Sequence, residues 1–174
     1  MTHVSKGFTI VELIVVIAMI GILVAWAVPA FLSTLPNYRL RSAARDLASN
    51  LQLARMKAIS TSSYVCLSFN VNINGTTYDY ALYADDDRDF TYDAGETVIG
   101  RVKLSDYPGV SFDTSKGDGD GVTFANNCLA FDPRGLPKNS AGGFGAGSVY
   151  LKNTRNKVKK VVVSSAGRIR IEEG

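Results

Sequence analysis

From Leu13 to Tyr38 the chain runs for 26 residues without a charged side chain, bounded by Glu12 on one side and Arg39 on the other. A helix of ~20 apolar residues already crosses the hydrocarbon core of a bilayer, so this run is long enough to span one. The constraint it sets is where Glu12 sits. A carboxylate at bilayer depth costs about 2.5–3.5 kcal/mol on insertion scales, and such a residue calls for a partner. A secretory signal peptide has a basic segment, an apolar stretch of about 7–15 residues and then a small-residue cleavage site. Here the run is too long, and the suggestive small residue after a basic one, Gly7 after Lys6, precedes it. A plain amino-terminal anchor, with Lys6 kept cytoplasmic by the bias of cations toward that side, accounts for the run but leaves Glu12 as a snorkelling side chain.

The stretch Lys6-Gly7-Phe8-Thr9-Ile10-Val11-Glu12-Leu13 resembles the class III signal of type IV pilins and type II secretion pseudopilins. The resemblance implies that a prepilin peptidase cuts between Gly7 and Phe8 and methylates Phe8 at its new amino terminus. Residues 1–7 are then a leader, 8–35 a transmembrane and assembly helix, and 36–174 a periplasmic pilin-like domain that includes the amphipathic half of the helix. It also implies that Glu12 pairs with the terminal amine of a neighbouring subunit as the chain enters a filament, which supplies the partner that a buried carboxylate requires. The expected setting is the bacterial inner membrane, crossed once. The expected partners, besides the peptidase, are other minor pilins or pseudopilins, the major subunit and the inner-membrane assembly platform.

Pro29 and Pro36 are expected to interrupt the apolar helix, since each removes a backbone donor. Beyond them, apolar residues recur at Leu40, Ala43, Ala44, Leu47, Leu51, Ala54 and Ala58, in steps of three and four that mark one face of a helix. The pattern predicts a helix to about Ile59, ended by Ser60-Thr61-Ser62-Ser63. From Tyr64 the period becomes two: Val65, Leu67, Phe69, Val71 and Ile73 alternate with Cys66, Ser68, Asn70 and Asn72, and Asn74-Gly75 supplies a hairpin turn. Further strands are expected at 78–83, 97–104, 122–124, 129–131, 148–151, 159–163 and 168–171. One long helix followed by many short strands reads as α+β, the helix packed on an antiparallel β-sheet or β-sandwich. The glycine-rich stretch 140–147 lacks phosphate-binding spacing and reads as a flexible linker.

Towards the carboxy terminus, Phe131-Asp132-Pro133-Arg134-Gly135-Leu136-Pro137, Gly147-Ser148-Val149-Tyr150-Leu151 and Val161 through Arg170 are similar to the H-type pseudopilin and FimT-type minor pilin branch. That resemblance implies a minor subunit that helps start or cap a type IV pilus or a type II secretion pseudopilus. Residues 105–125 have no counterpart in it. An enzyme is disfavoured: the single histidine, His3, lies in the leader, so the mature chain has no imidazole for a Ser-His or Cys-His arrangement. Two isolated cysteines give no zinc spacing.

Charge is distributed unevenly. Residues 79–96 carry seven acids against Arg88, whereas residues 152–170 carry seven basic side chains and no acid. Within the acidic stretch Asp85, Asp87, Asp89, Asp93 and Glu96 fall at loop positions 1, 3, 5, 9 and 12, the spacing of an EF-hand-type calcium loop, although Phe90 stands where glycine makes the sharp turn. Calcium is therefore the one candidate cofactor, against a solvated acidic turn. Cys66 and Cys128 each alternate with apolar neighbours and are expected to form a disulfide, which persists in an oxidising compartment; two separate buried thiols are the alternative. Lys157, Lys159, Lys160, Arg168 and Arg170 are candidate contacts for DNA phosphates. The FimT-type branch includes minor pilins implicated in DNA uptake, and its glycine-arginine-x-arginine element matches Gly167 to Arg170. Alternation would put Arg168 and Arg170 on one side of a strand, where charge also protects a sheet edge from unwanted pairing.

Overall fold

Ile10 to Thr61 form one α-helix, α1, in a computed structural model that describes residues 9–174. The chain divides into a unit that ends at Leu35 and a second, Pro36–Gly174. In the first, the apolar side chains of α1 are exposed, from Ile10 to Leu32, with Trp26 at 82%. The helix continues through Pro29 and Pro36 where an interruption was expected. Each proline removes one backbone donor, and the bonds of the adjoining turns hold the helix. The helix stops where Thr61 Oγ1 and Ser60 Oγ donate to the Lys57 carbonyl, at 2.8 and 3.0 Å, and Ser62 turns left-handed at φ 53.

In Pro36–Gly174 the stripe Leu40, Ala43, Ala44, Leu47, Ala48, Leu51, Ala54 and Ala58 is buried. It packs on two antiparallel sheets. The first, in the order β3-β2-β1-β5-β6, uses β1 (Tyr64–Ile73), β2 (Thr76–Asp85), β3 (Val98–Val102), β5 (Cys128–Phe131) and β6 (Pro137–Lys138). The second, β4-β7-β8-β9, uses β4 (Val110–Phe112), β7 (Gly147–Asn153), β8 (Val158–Val163) and β9 (Ile169–Glu173). Val65, Leu67, Phe69, Leu82, Leu129 and Phe131 of the first sheet share one core with Val149, Leu151, Val161 and Val163 of the second and with the helix stripe. Each large side chain so buried stabilises the fold by about 1.5–3 kcal/mol. A polar clamp crosses from helix to sheet, the buried Tyr80 hydroxyl donating to Asp46 at 2.9 Å and accepting from Asn50 at 3.3 Å.

The α+β expectation holds, with corrections in detail. Val71 and Ile73 leave the face of Val65, Leu67 and Phe69 and pack with Ala81, Tyr78, Tyr92 and Val98. The cause is Asn70, left-handed at φ 55, which breaks the alternation. The Asn74-Gly75 turn has positive φ at both residues (51 and 80), as a two-residue hairpin loop requires. Residues 122–124 contribute only a bridge, Val122 to Val149, while β4 and β6 lie where no strand was expected. Residues 105–125 thus supply β4 and extend the second sheet. Nor is the 140–147 stretch a loose linker: Gly145 is buried, and a Cβ there would lie 2.6 Å from both Leu129 Cδ1 and the Lys138 carbonyl oxygen.

Candidate functional site

The first turn of α1 is capped by its own sequence. Thr9 precedes the helix, its Oγ1 accepting from the Glu12 N–H at 3.2 Å and its carbonyl from the Leu13 N–H at 3.2 Å. Thr9-x-x-Glu12 has the capping-box spacing, which places the Glu12 carboxylate beside the positive end of the helix dipole. Glu12 is exposed, and it is the one charged side chain from Thr9 through Tyr38. No residue from Ile10 to Leu35 is buried within the protein. Such a helix can hold a chain in a bilayer and offer its apolar surface to other helices, with one carboxylate to set the register. The expected cleavage and methylation positions, Gly7 and Phe8, lie outside the described residues.

At the other end of α1, two of the carboxy-terminal motifs meet the helix. Asp132, 2% exposed, closes the 132–137 turn: its Oδ1 accepts the amides of Arg134 and Leu136, both at 2.9 Å, and its Oδ2 accepts the Arg134 guanidinium at 3.0 Å. Burial by itself would raise this carboxyl, but the Leu136 amide and Arg134 bring it below its ordinary range. Arg55 Nη1 donates to the Gly167 carbonyl at 3.2 Å. A Cβ on Gly135 would lie 2.7 Å from Ile59 Cδ1, and one on Gly167 3.1 Å from the Gly135 carbonyl oxygen. Those glycines admit the helix to both turns. Sequence reasoning missed Arg55 and Asp132; the signal was a buried-acid turn, Asp-Pro-Arg-Gly, read as a family mark only.

The acidic loop folds over the face of the first sheet that points away from the helix. There Phe90 and Tyr92 cover Cys66, Tyr83, Cys128 and Ala130. Asp85, 1% exposed, is the pivot: Oδ1 accepts the Arg88 amide at 2.7 Å, and Oδ2 accepts the Phe90 amide at 3.3 Å and the Cys66 thiol at 3.1 Å. Phe90, at the position where the calcium loop has glycine, adopts φ 67. Of the five expected ligands, Asp85, Asp87 and Asp89 bring oxygens within 4.8 Å of one another. Asp93 and Glu96 do not join that group. Glu96 instead accepts the Asp93 and Asp86 amides at 2.9 and 3.3 Å. Its carboxyl is raised, by burial first, against those amides, and then by Asp85 and Asp87.

Cys66 and Cys128 lie on neighbouring strands, facing away from Leu67 and Leu129, both buried and with free thiols. Cys66 lies opposite Ala130, and Cys128 opposite Ser68, and the two sulfurs are within hydrogen-bonding reach of each other. The hydrogen bond with Cys128, burial and the Asp85 carboxylate push the Cys66 thiol far up.

Of the five candidate DNA contacts, Lys157 and Lys159 line one hollow with Arg41. Lys159 belongs to the inner face of the second sheet and is ion-paired with Glu173. Lys160 lies over the Tyr150 ring at 5.6 Å, and Arg170 pairs with Glu172 at 3.2 Å. Lys157 is an exposed residue of the turn after β7. Arg168 precedes β9 instead of lying in it, and lines a hollow with Gln52, Met56 and Ile59 of the helix.

The profile of the family described as Type II transport protein GspH matches residues 43–167, and that of the prokaryotic N-terminal methylation motif matches residues 3–28. The chain is 32% identical, over 96% of its own length and 98% of the relative's, to the pilin-like protein PilA1 of Thermus thermophilus. The chain belongs to the GspH family of pilin-like proteins. It is also 35% identical to a fimbrial protein of Dichelobacter nodosus, over 58% of this chain and 62% of that one. The crystal structure of the type IV minor pilin FimU of Pseudomonas aeruginosa overlays at a TM-score of 0.45 with 15% identity, covering 78% of this chain and 90% of that one. As a member of this family it is a structural component and not an enzyme. Membership implies processing by a peptidase and assembly with other pilins. The methylation-motif match takes in Gly7, Phe8 and Glu12, and the GspH match ends at Gly167, just short of Arg168 and Arg170.

Proposed function

We propose that this pilin-like chain, cut after Gly7 and methylated on Phe8, is held by α1 in the bacterial inner membrane with its carboxy-terminal domain in the periplasm. Neighbouring subunits then draw it into a type IV pilus or a type II secretion pseudopilus, where it helps start or cap the filament. The observation that supports this is the exposed apolar surface of α1, interrupted by a single carboxylate in a capped first turn. In that role Glu12 binds the free terminal amine of an adjacent subunit, an ion pair worth most where water is excluded. The test is a pair of variants, Glu12→Ala and Glu12→Gln, scored for membrane retention and for recovery in sheared filaments. Both should stay in the membrane fraction and fail to reach filaments; normal assembly of Glu12→Ala removes the role. Deleting the gene and scoring piliation beside secreted enzymes separates the two systems.

A second reading, DNA binding during uptake, draws support from the exposed cations Lys157 and Arg168. Against it stand the ion pairs that already engage Lys159 and Arg170. A salt-titrated mobility shift on the full chain in detergent decides it, with the double variant Arg168→Ala, Arg170→Ala as comparison. Phosphate contacts weaken steeply with salt. Equal binding by both proteins excludes this element, and no binding at low salt excludes the activity.

A further inference from the structure

One end of the Pro36–Gly174 unit gathers cations around α1 at the point where the apolar run stops. The run ends at Tyr38, 69% exposed, and Arg39 and Arg41 follow it. The turn that joins β7 to β8 is fastened beside them, because Asn153 Nδ2 donates to Asn37 Oδ1 at 2.9 Å. The same Asn153 accepts the amides of Arg155 and Lys157 through Oδ1, at 2.9 and 3.0 Å, which fixes the turn and leaves both cationic side chains exposed. Lys157 and Arg41 line one hollow, and Arg39 donates to the Pro108 carbonyl at 3.1 Å. Two acids lie nearby: Glu173, already bound by Lys159, and Asp106, two residues before Pro108. The Glu173 carboxyl is lowered by Lys159 first, and by Arg41 and Lys157 as well, so these cations share one field.

Their position runs against a general bias. Cations that flank a membrane span favour the side that is not exported, yet here Lys6 precedes the span while Arg39, Arg41 and Arg45 closely follow it. At 1.5 Å per residue the uncharged run is ~39 Å long, against a hydrocarbon core of ~30 Å, so its far end reaches headgroup level. An exposed tyrosine at that level fits the aromatic belt of membrane interfaces.

We propose that Arg39, Arg41, Arg155 and Lys157 form a collar that binds the phosphates of anionic phospholipids on the outer face of the membrane in which α1 is held. The collar rests on the reading of α1 as a single span with Pro36–Gly174 on the exported side. It steadies the domain on the membrane before assembly and is given up on extraction. Each cation near an anionic surface strengthens such a contact by about fivefold, and salt weakens it.

The test uses the full chain in nanodiscs, with hydrogen exchange read at the backbone amides of residues 153–157. Exchange there should be slower in discs containing phosphatidylglycerol than in phosphatidylcholine discs. The difference should vanish at high salt and in the triple variant Arg41→Gln, Arg155→Gln, Lys157→Gln, while β1 and β5 amides stay protected and report an intact fold. Equal exchange in the two kinds of disc overturns the collar alone. Protection reproduced by inorganic phosphate in phosphatidylcholine discs overturns it in favour of a small-anion site, and protection that depends only on the number of chains per disc overturns it in favour of a neighbour's acids. A chain that associates with neither disc overturns the anchor reading, and the collar with it.

Discussion

Replacing Asp85 by alanine should unfasten the acidic loop from the sheet beneath it. The side chain is 1% exposed, and its two oxygens accept three hydrogen bonds: from the Arg88 amide at 2.7 Å, the Phe90 amide at 3.3 Å and the Cys66 thiol at 3.1 Å. A donor left unsatisfied costs about 1–3 kcal/mol, and the thiol is the weakest of the three, so the two amides set a loss of about 2–6 kcal/mol. For a domain of this size that lowers the midpoint of thermal unfolding by about 10 °C. The comparison is Asp86→Ala, one residue on, where the side chain is exposed and the change should stay within about 0.5 kcal/mol. Thermal melts of the full chain in detergent, followed by the near-ultraviolet circular dichroism of the buried Tyr80 and Tyr83, measure both. If Asp85→Ala melts with Asp86→Ala, the loop is not held by this carboxylate and the account of its fold fails.

Calcium, expected from the spacing, should produce binding heat on the full chain only at roughly millimolar concentration, as in extracellular modules with few carboxylates; silence at that concentration, or heat unchanged by Asp87→Asn with Asp89→Asn, removes the site. Thiol labelling of unfolded, unreduced protein should find two reactive cysteines, and none would restore the bridge between Cys66 and Cys128. Because Cys66 titrates higher folded than unfolded, the unfolded chain releases its proton first. The contribution of Cys66 should therefore be full below the ordinary thiol pKa of about 8.5 and decline above it, while Cys128, which titrates lower folded than unfolded, contributes only as pH rises toward that value; chemical denaturation across the range should show the decline above it. Gly145→Ala, which sets a Cβ 2.6 Å from Leu129 Cδ1 and the Lys138 carbonyl oxygen, should lower stability by about 1–3 kcal/mol, read from the same melts.

Much of the fold is legible because its main signals are periodic. The stripe from Leu40 to Ala58 repeats at three and four, and the helix buries those residues. Val65, Leu67 and Phe69 alternate and enter the core. What periodicity could not convey is where a single dihedral reverses it: nothing in the composition around Asn70 announces φ 55, and so Val71 and Ile73 fell on the wrong face. β4 and β6 were missed because three and two residues are too few to show a period. In the candidate sites, the Thr9–Glu12 box has a capping spacing that the reading of the sequence passed over. The diagonal offset of Cys66 and Cys128 could not be read from spacing, since it depends on the register of β1 against β5, which no local pattern fixes. The calcium spacing captured positions along the chain, but Glu96 turned back to the Asp86 and Asp93 amides, a choice made by local hydrogen bonding.

A helix that is apolar and exposed in its first half and buried along a stripe in its second also transmits force along its length. A pull along α1 does not peel one contact at a time. It shears eight buried residues, Leu40 to Ala58, against two sheets together, with the Asp46–Tyr80 hydrogen bond and the Arg55–Gly167 contact as cross-ties at two heights. Contacts loaded in parallel share the force, so the stripe has to yield as a unit, whereas the loops over the far face of the first sheet carry none of it. Whatever draws this chain by its amino-terminal helix therefore grips the core of the domain directly, and the domain moves with it before it unravels.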